Sequence, residues 1–216
     1  MVLFLFQDLG KFCDRLKDVY LIRGRGLTSN VYVIGKDLIT TIDAGSGAYY
    51  NRLEPEFKSI GLRMSNVVQA IITHAHHDHV NGLIELLQFA DPKIFVFHSD
   101  ARYLSGLGEH RIVRLEEGGF IETELFNLKI IHTPGHTEGS ICLYDEKKKV
   151  LFSGDTVFPG GVFGNFSPGE GRTIYLSLEK LTKIDVDIIL AGHGRPLYEN
   201  GNQQIMKAFK TAVLYI

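Results

Sequence analysis

Short apolar runs separated by glycine-containing or polar turns recur along the chain. Runs of four to eight residues that are rich in β-branched side chains are typical of strands. Several of the runs flank short turns, such as Gly35-Lys36-Asp37 and Asp145–Lys149, which predicts hairpins. The strands predicted in this way are Val19–Ile22, Asn30–Ile34, Leu38–Ile42, Val67–Thr73, Ile94–Phe97, Leu125–His132, Ser140–Tyr144, Val150–Ser153 and Val186–Ala191.

Between these runs lie segments whose apolar residues recur three or four positions apart, a pattern that predicts helices. The predicted helices are residues 51–62, Leu83–Phe89, a short helix through Ser105 with Ser99 or Asp100 as its N-cap, Thr173–Ile184 and Gln203–Leu214. Residues 2–6 predict a short strand or a packing arm, and the glycine-rich segment Gly154–Gly171 predicts a loop. Hairpins mixed with helices do not fit the strict alternation of a doubly wound parallel sheet.

Composition adds limits on fold and partners. The 216 residues, with 44% hydrophobic and 22% charged, fit one folded domain over residues 1–216 and exclude a disordered chain. A net charge of −2 gives no reason to expect a nucleic-acid partner, and the chain has no apolar run long enough to span a membrane. No secretory signal is evident, and two distant cysteines form no disulfide framework, so we expect a cytoplasmic protein. The sequence decides neither whether Cys13 and Cys142 form a disulfide nor what the oligomeric state is.

Four of the nine histidines lie between positions 74 and 79, directly after a predicted buried strand. Imidazole and carboxylate groups are good ligands for zinc and similar divalent metals. Side chains two apart on an extended segment face the same way, so His74 and His76 can reach one ion together. Asp78 and His79 can point at a second position as the chain turns. The alternative interpretation is a polar loop of solvated histidines.

Three further candidate ligands each follow a predicted strand in a turn that contains glycine: His136, Asp155 and His193. A single histidine or aspartate in a turn is usually only a polar surface residue. With the cluster at 74–79, however, they give seven candidate ligands, which suits two metal ions. A metal-binding protein without catalytic activity is the alternative from a different functional class.

The HxHxDH segment at 74–79, followed by His136, Asp155 and His193, resembles the metallo-β-lactamase superfamily, and Thr41–Gly45 is similar to that family's early aspartate turn. The resemblance covers about residues 19–197. It implies an α/β (α+β) fold, a four-layer αβ/βα sandwich of two mixed sheets flanked by helices. It also implies one metal on His74, His76 and His136, a second on Asp78, His79 and His193, and Asp155 bridging them.

The same resemblance implies a metallo-hydrolase that acts on a small-molecule substrate with a metal-bound hydroxide. The cofactors would be two divalent ions, zinc in the first place, with iron or manganese as alternatives. Asp78 could orient the hydroxide, and Asp43 would orient a ligand without binding metal itself. Tyr49 and Tyr50 are candidates for a general acid or for packing.

Within the superfamily, Asp155-Thr156-Val157-Phe158 is similar to the DTLF segment of glyoxalase II. The resemblance is to a short form without that enzyme's C-terminal helical domain, and it implies hydrolysis of a thioester or related ester. The segment 160–166 lacks the basic residue and the tyrosine with which glyoxalase II holds glutathione. A mononuclear iron persulfide dioxygenase, a lactonase and a phosphodiesterase are the alternatives. Phe158, Phe163 and Phe166 are expected either to pack or to form an apolar substrate wall.

Overall fold

The computed structural model of the chain describes residues 6–47, 52–166 and 170–216. Two mixed β-sheets form its centre. In chain order the strands are β1 (Phe6–Asp8), β2 (Val19–Ile22), β3 (Val31–Ile34), β4 (Ile39–Ile42), β5 (Val67–Ile72), β6 (Lys93–Phe97), β7 (Ile112–Leu115), β8 (Phe120–Glu122), β9 (Asn127–His132), β10 (Ile141–Asp145), β11 (Val150–Gly154) and β12 (Ile188–Ala191). The helices are α1 (Leu53–Ser59), α2 (His77–Val80), α3 (Leu83–Leu86), α4 (Gly171–Leu181) and α5 (Gly201–Ala212).

Within the described residues, the first sheet has seven strands in the order β1 to β7, antiparallel from β1 to β4 and parallel from β4 to β7. The second sheet has five strands in the same part of the chain, in the order β12-β11-β10-β9-β8, and of these only β11 and β12 are parallel. Strands β2, β3 and β4 are buried at every position, which explains why their sequences are apolar or β-branched throughout.

Three hydrophobic clusters separate four layers. One lies between the two sheets and includes Ile34 and Ile71 from the first sheet and Leu143 from the second. Another packs α1 and α3 on the outer face of the first sheet. The third packs α4 and α5 on the outer face of the second sheet, where the buried residues of each helix recur three or four apart. The predicted four-layer sandwich of two mixed sheets is therefore confirmed.

The differences from the predicted elements are local. Strands β7 and β8 were not predicted; both are short edge strands whose sequences mix charged and apolar residues. The helix predicted over Leu83–Phe89 is wrong in its length, since α3 ends at Leu86. Asp100 precedes the 3₁₀ segment Ala101–Leu107 but makes no side-chain cap hydrogen bond to it. Of the segment 2–6, predicted as a short strand or a packing arm, only Phe6 is among the described residues, where it begins β1; Tyr49 and Tyr50 lie outside the described residues.

The two sheets bring particular strand ends to one edge. The parallel strands β4, β5 and β6 end together, and β9, β11 and β12 share a direction in the second sheet. Each of these strands is followed by a turn that carries an aspartate or a histidine. The architecture therefore gathers the polar side chains that the sequence separates by more than 100 residues.

Cys13 and Cys142 are both free, so the disulfide that the sequence left open is absent. Cys142 lies in β10 of the second sheet and is fully buried, and this burial raises the pKa of its thiol to about 11. Within the described ranges, the helices are too short or too polar to cross a lipid bilayer.

Candidate metal centre

The seven candidate ligands converge at the shared edge of the two sheets. His74 and His76 follow β5, and Asp78 and His79 lie in the short helix α2. The other three follow strands of the second sheet: His136 after β9, Asp155 after β11 and His193 after β12. Three sets of three potential ligands result among the described residues. Two of them share no residue, and we call these the three-histidine group (His74, His76, His136) and the mixed group (Asp78, His79, His193). The third set joins them and consists of His74, His79 and Asp155.

The ring nitrogens of the three-histidine group form a nearly equilateral triangle. His74 Nε2 lies 3.0 Å from His76 Nδ1, which lies 2.9 Å from His136 Nε2, and the third side is 3.1 Å. Imidazole nitrogens bound to one tetrahedral zinc at about 2.0–2.1 Å lie roughly 3.3 Å from one another. The triangle is therefore close to the size that a single metal ion requires.

Neighbouring hydrogen bonds fix the tautomers of two of these rings. His136 Nδ1 lies 2.6 Å from the carbonyl oxygen of Asn165, so this nitrogen carries the proton and donates it. The Thr73 hydroxyl donates to Asp43, and its oxygen lies 3.2 Å from His74 Nδ1, which donates in turn. The Nε2 lone pairs of His74 and His136 therefore both point into the triangle.

Burial favours the neutral forms of His74 and His76. Loss of solvation lowers the pKa of His74 well below its ordinary value, and the nearby His79 lowers it further. The pKa of His76 is also lowered, chiefly by burial and then by His136. Ring nitrogens that face one another with lone pairs cannot hydrogen-bond one another through those atoms. A cation at their centre would satisfy all three.

Carboxylate oxygens lie close to both histidines of the mixed group. His193 Nε2 lies 3.1 Å from Asp78 Oδ2, and His79 Nε2 lies 3.5 Å from the same oxygen. Burial lowers the pKa of both histidines, but neighbouring carboxylates outweigh it. Asp43 and Asp155 raise the pKa of His79 to about 10, and Asp155 and Asp78 raise that of His193 to about 9.

Asp155 lies between the two groups. Its Oδ2 atom is 3.4 Å from His193 Nε2 and 3.6 Å from His136 Nε2, one histidine from each group. Burial raises the pKa of its carboxyl, but His193 and His79 outweigh this and hold the pKa far below its usual range. The carboxylate is thus ionised and positioned to contact ions in both groups.

Two buried atoms test whether these residues fit metal ions. His79 Nε2 and Asp155 Oδ1 are both inaccessible to solvent, and neither has a hydrogen-bond partner among the described residues. They lie 3.5 Å apart, within ion-pair distance but without hydrogen-bond geometry. Buried polar atoms without a hydrogen bond are rare because leaving them unpaired is costly, and a bound ion is one way of satisfying them. A nitrogen and an oxygen at this separation are a suitable donor set for zinc, so the residues fit.

Asp43 is not a member of the mixed group but hydrogen-bonds to one of its histidines, His79. Its Oδ2 atom accepts a hydrogen bond from His79 Nδ1 at 2.8 Å, while Oδ1 accepts one from the Thr73 backbone N–H at 2.8 Å. The residue has φ of 58°, in the left-handed region that is uncommon for a side chain other than glycine. The contact fixes the His79 ring so that Nε2 faces the site.

Sequence reasoning missed Asp100. It is 2% exposed, and its Oδ2 atom accepts hydrogen bonds from the Ala75 N–H at 2.8 Å and the Thr137 hydroxyl at 3.2 Å. Ala75 lies between His74 and His76, and Thr137 follows His136. Asp100 therefore ties together the two loops of the three-histidine group. Its place directly beyond the end of β6, beside β5, was the signal that could have identified it.

The three phenylalanines of the glycine-rich loop divide into two classes. Phe163 stacks on Phe166 with centroids 6.0 Å apart, and both rings contact Tyr215 near the C-terminal end of the described chain. Phe158 instead lies 6.4 Å from the ring of His193. All three rings pack against the third hydrophobic cluster, and Phe158 in addition lies beside the mixed group.

Comparison with known proteins agrees with this geometry. The family model of the metallo-beta-lactamase superfamily matches residues 24–193. Hydroxyacylglutathione hydrolase GloC of Haemophilus influenzae is 33% identical over 171 residues, covering 71% of this chain and 78% of the relative. Hydroxyacylglutathione hydrolase of Francisella tularensis subsp. novicida is 31% identical over 120 residues; the match covers 55% of this chain and 45%, less than half, of that relative.

Solved structures agree on the fold. A metallo-beta-lactamase family protein from Thermus thermophilus aligns with a TM-score of 0.72 at 19% identity, covering 91% of this chain and 80% of that one. A beta-lactamase domain protein from Burkholderia ambifaria aligns with a TM-score of 0.75 at 19% identity, covering 91% and 74%. The sequence match, the two-sheet sandwich and the histidine–aspartate cluster lead to one conclusion: this chain belongs to the metallo-β-lactamase superfamily.

Proposed function

We propose that this chain is a binuclear metallo-hydrolase that cleaves thioesters or related esters. The three-histidine group would hold one divalent ion and the mixed group the other, with Asp155 shared between them. The observation that carries this assignment is the pair of orphaned buried atoms, His79 Nε2 and Asp155 Oδ1, next to the histidine triangle. Zinc is the ion we expect, because the donors are imidazole nitrogens and carboxylate oxygens; iron and manganese accept the same donors.

When bound, divalent ions make a water molecule nucleophilic at neutral pH and polarise a substrate carbonyl oxygen. The protein's own residues prepare the site for this chemistry. Burial keeps His74 and His76 neutral, so their lone pairs are available. Asp43 orients His79 through its 2.8 Å hydrogen bond without itself entering the site.

Asp78 is the carboxylate that we assign to catalysis in addition to binding. It is the carboxylate of the mixed group, and 28% of its side chain is exposed to solvent. The neighbouring histidines lower the pKa of its carboxyl despite partial burial, so the group is ionised at neutral pH. An ionised carboxylate in this position can accept a hydrogen bond from the attacking water and orient it.

The thioester assignment rests on relatives and on leaving-group chemistry. The two curated relatives described above are named hydroxyacylglutathione hydrolases. A thiolate leaves readily because its conjugate thiol has a pKa near ~8.5, so little general-acid assistance is needed. The segment 160–166 contains no basic residue and no tyrosine, so we propose a thioester hydrolase without assigning glutathione as the thiol.

The test is a comparison of metal-loaded protein on different substrates. Chelator-treated protein is reloaded with zinc, manganese or ferrous iron and assayed with a hydroxyacyl-glutathione thioester, a simple acyl thioester, a lactone and a phosphodiester. We expect thioester turnover with zinc. Turnover confined to the lactone or phosphodiester would move the substrate to another class. Oxygen consumption with a persulfide by protein holding one iron would replace hydrolysis with persulfide dioxygenation.

A further inference from the structure

A cavity of about 620 Å³ opens beside the candidate metal centre. Two members of the three-histidine group, His76 and His136, form part of its wall. Its volume is within the usual range for small-molecule sites, about 300–1,000 Å³. Its lining residues do not include Phe158 or His193, whose rings lie beside each other in the mixed group's surroundings.

The exposed surface of the cavity wall is mostly apolar. The apolar side chains come from α2, α3 and the 3₁₀ segment Ala101–Leu107: Val80, Ile84, Tyr103, Leu104 and Leu107. Polar residues also line the cavity, among them His77, Asn81 and Thr137. Ile84 and Tyr103 are 62% and 63% exposed, so their apolar surfaces would be partly covered by a ligand.

Arg102, one of the residues that line the cavity, already contacts neighbouring side chains. The Arg102 guanidinium lies 3.6 Å from the Glu138 carboxylate, donates to the Tyr103 hydroxyl at 3.0 Å, and lies over the Tyr103 ring at 4.9 Å from its centroid. Glu138 also lines the cavity, so the two charges offset each other. The wall therefore does not favour an anionic ligand, whereas its aliphatic side chains favour an apolar one.

From this arrangement we propose that the cavity binds an apolar arm of the substrate, an unbranched alkyl or aryl group joined to the scissile carbonyl. The proposal rests on the proposed hydrolase function and names its substrate class: thioesters or esters with an arm considerably longer than a methyl group. The arm can belong to the acyl group or to the leaving thiol, because both are attached to the same carbonyl centre.

Direct binding tests the cavity without relying on turnover. Linear methyl ketones, from 2-butanone to 2-octanone, are titrated into the protein, as purified and zinc-loaded, and followed by NMR of methyl groups. We expect shifts at Ile84 and Leu104, with affinity rising about three- to fourfold per added methylene until the cavity is filled. Ile84→Glu places a charge in the wall and should remove most of this increase. Leu176→Glu, on the exposed face of α4, is the matched control and should leave it unchanged.

Turnover then identifies the source of the arm. One series lengthens the acyl group on a fixed thiol, and the other lengthens the thiol on a fixed acetyl group. In one of the two series, kcat/KM should rise with the length of the varied group. In the Ile84→Glu variant this rise should be absent. Ketone binding without turnover of any thioester would contradict the proposed function but keep the cavity. Turnover with no length dependence in either series, together with no shift at Ile84 or Leu104, would overturn the cavity proposal.

Discussion

The Asp43 carboxylate accepts a hydrogen bond from His79 Nδ1 at 2.8 Å, and this bond directs His79 Nε2 towards the mixed group. Both residues are almost completely buried, so water cannot replace the contact. The partner of a metal-binding histidine is commonly worth about 10- to 100-fold in metal affinity. A residue 36 positions away in sequence thus sets the orientation of a candidate ligand.

Replacing Asp43 with alanine should weaken the binding of one metal ion more than the binding of the other. We expect Asp43→Ala to lower the affinity for the second zinc by about 10- to 100-fold while the first is still bound. Competition with a chromophoric chelator measures the two affinities separately. Asp185→Asn, which changes an exposed carboxylate, is the control and should bind both ions as the wild type does. Equal weakening of both ions in Asp43→Ala would argue against a role specific to His79.

Metal binding should release protons. Because Asp43 and Asp155 raise the pKa of His79 to about 10, and Asp155 and Asp78 raise that of His193 to about 9, both rings are protonated at pH 7.5 in the metal-free protein. A metal that binds their lone pairs must displace those protons. We expect up to two protons released at pH 7.5, and fewer as the pH rises through 9.

Calorimetry in buffers with different ionisation enthalpies measures this release. The affinity for the second metal should also fall as the pH is lowered, by about tenfold per pH unit for each proton displaced. The sign follows from the raised pKa values: the protonated state competes with the metal more strongly at lower pH. A release that does not change between pH 7.5 and pH 9.5 would be inconsistent with these histidines being the groups displaced.

Asp100 should matter as a hydrogen-bond acceptor rather than as a charge. Asp100→Ala leaves the Ala75 N–H without its acceptor, a loss that costs about 1–3 kcal/mol of stability. Both hydrogen bonds end on Oδ2, so the amide oxygen of Asp100→Asn can take over both. We therefore expect weaker binding of the first zinc in Asp100→Ala and near wild-type binding in Asp100→Asn. A cobalt absorption spectrum, which reports ligand geometry, should change only in the alanine variant; equal changes in both variants would make the charge the important property.

Gly192 should be required for space at the mixed group. A Cβ there would lie 2.2 Å from Asp155 Oδ1 and 2.8 Å from His79 Cε1. Gly192→Ala should therefore displace one or both ligands and reduce zinc content from two ions towards one. Elemental analysis of folded protein gives the ratio. Gly106→Ala is the matched control, because a Cβ at that glycine meets nothing within 4 Å. Two zincs per chain in Gly192→Ala would show that the site adapts.

The candidate ligands could be predicted from sequence because each follows a strand. A run of apolar, β-branched residues identifies the strand, and the first polar side chains beyond it lie at the sheet edge. His136 and Asp155 were identified in this way although they lie 62 and 81 positions after His74. The fold class was predicted from the family resemblance that these residues carry.

Other features depend on contacts that no local pattern encodes. Asp100 precedes a 3₁₀ segment and was predicted, with Ser99 as the alternative, to be its N-cap, but its partners Ala75 and Thr137 are 25 and 37 residues away. The edge strand β7 contains Arg114 between apolar residues, and β8 has only three residues. Pairing with a neighbour, rather than their own sequence, makes these segments strands.

The proposed function requires two metal ions that act together on a thioester. Titration of metal-free protein with zinc, with hydrolysis of an acyl thioester measured at each step, tests this requirement. We expect activity to rise until about two zinc ions per chain are bound and then to stay constant. Full activity at one zinc, or no activity at any zinc concentration in protein shown to hold two, would contradict it.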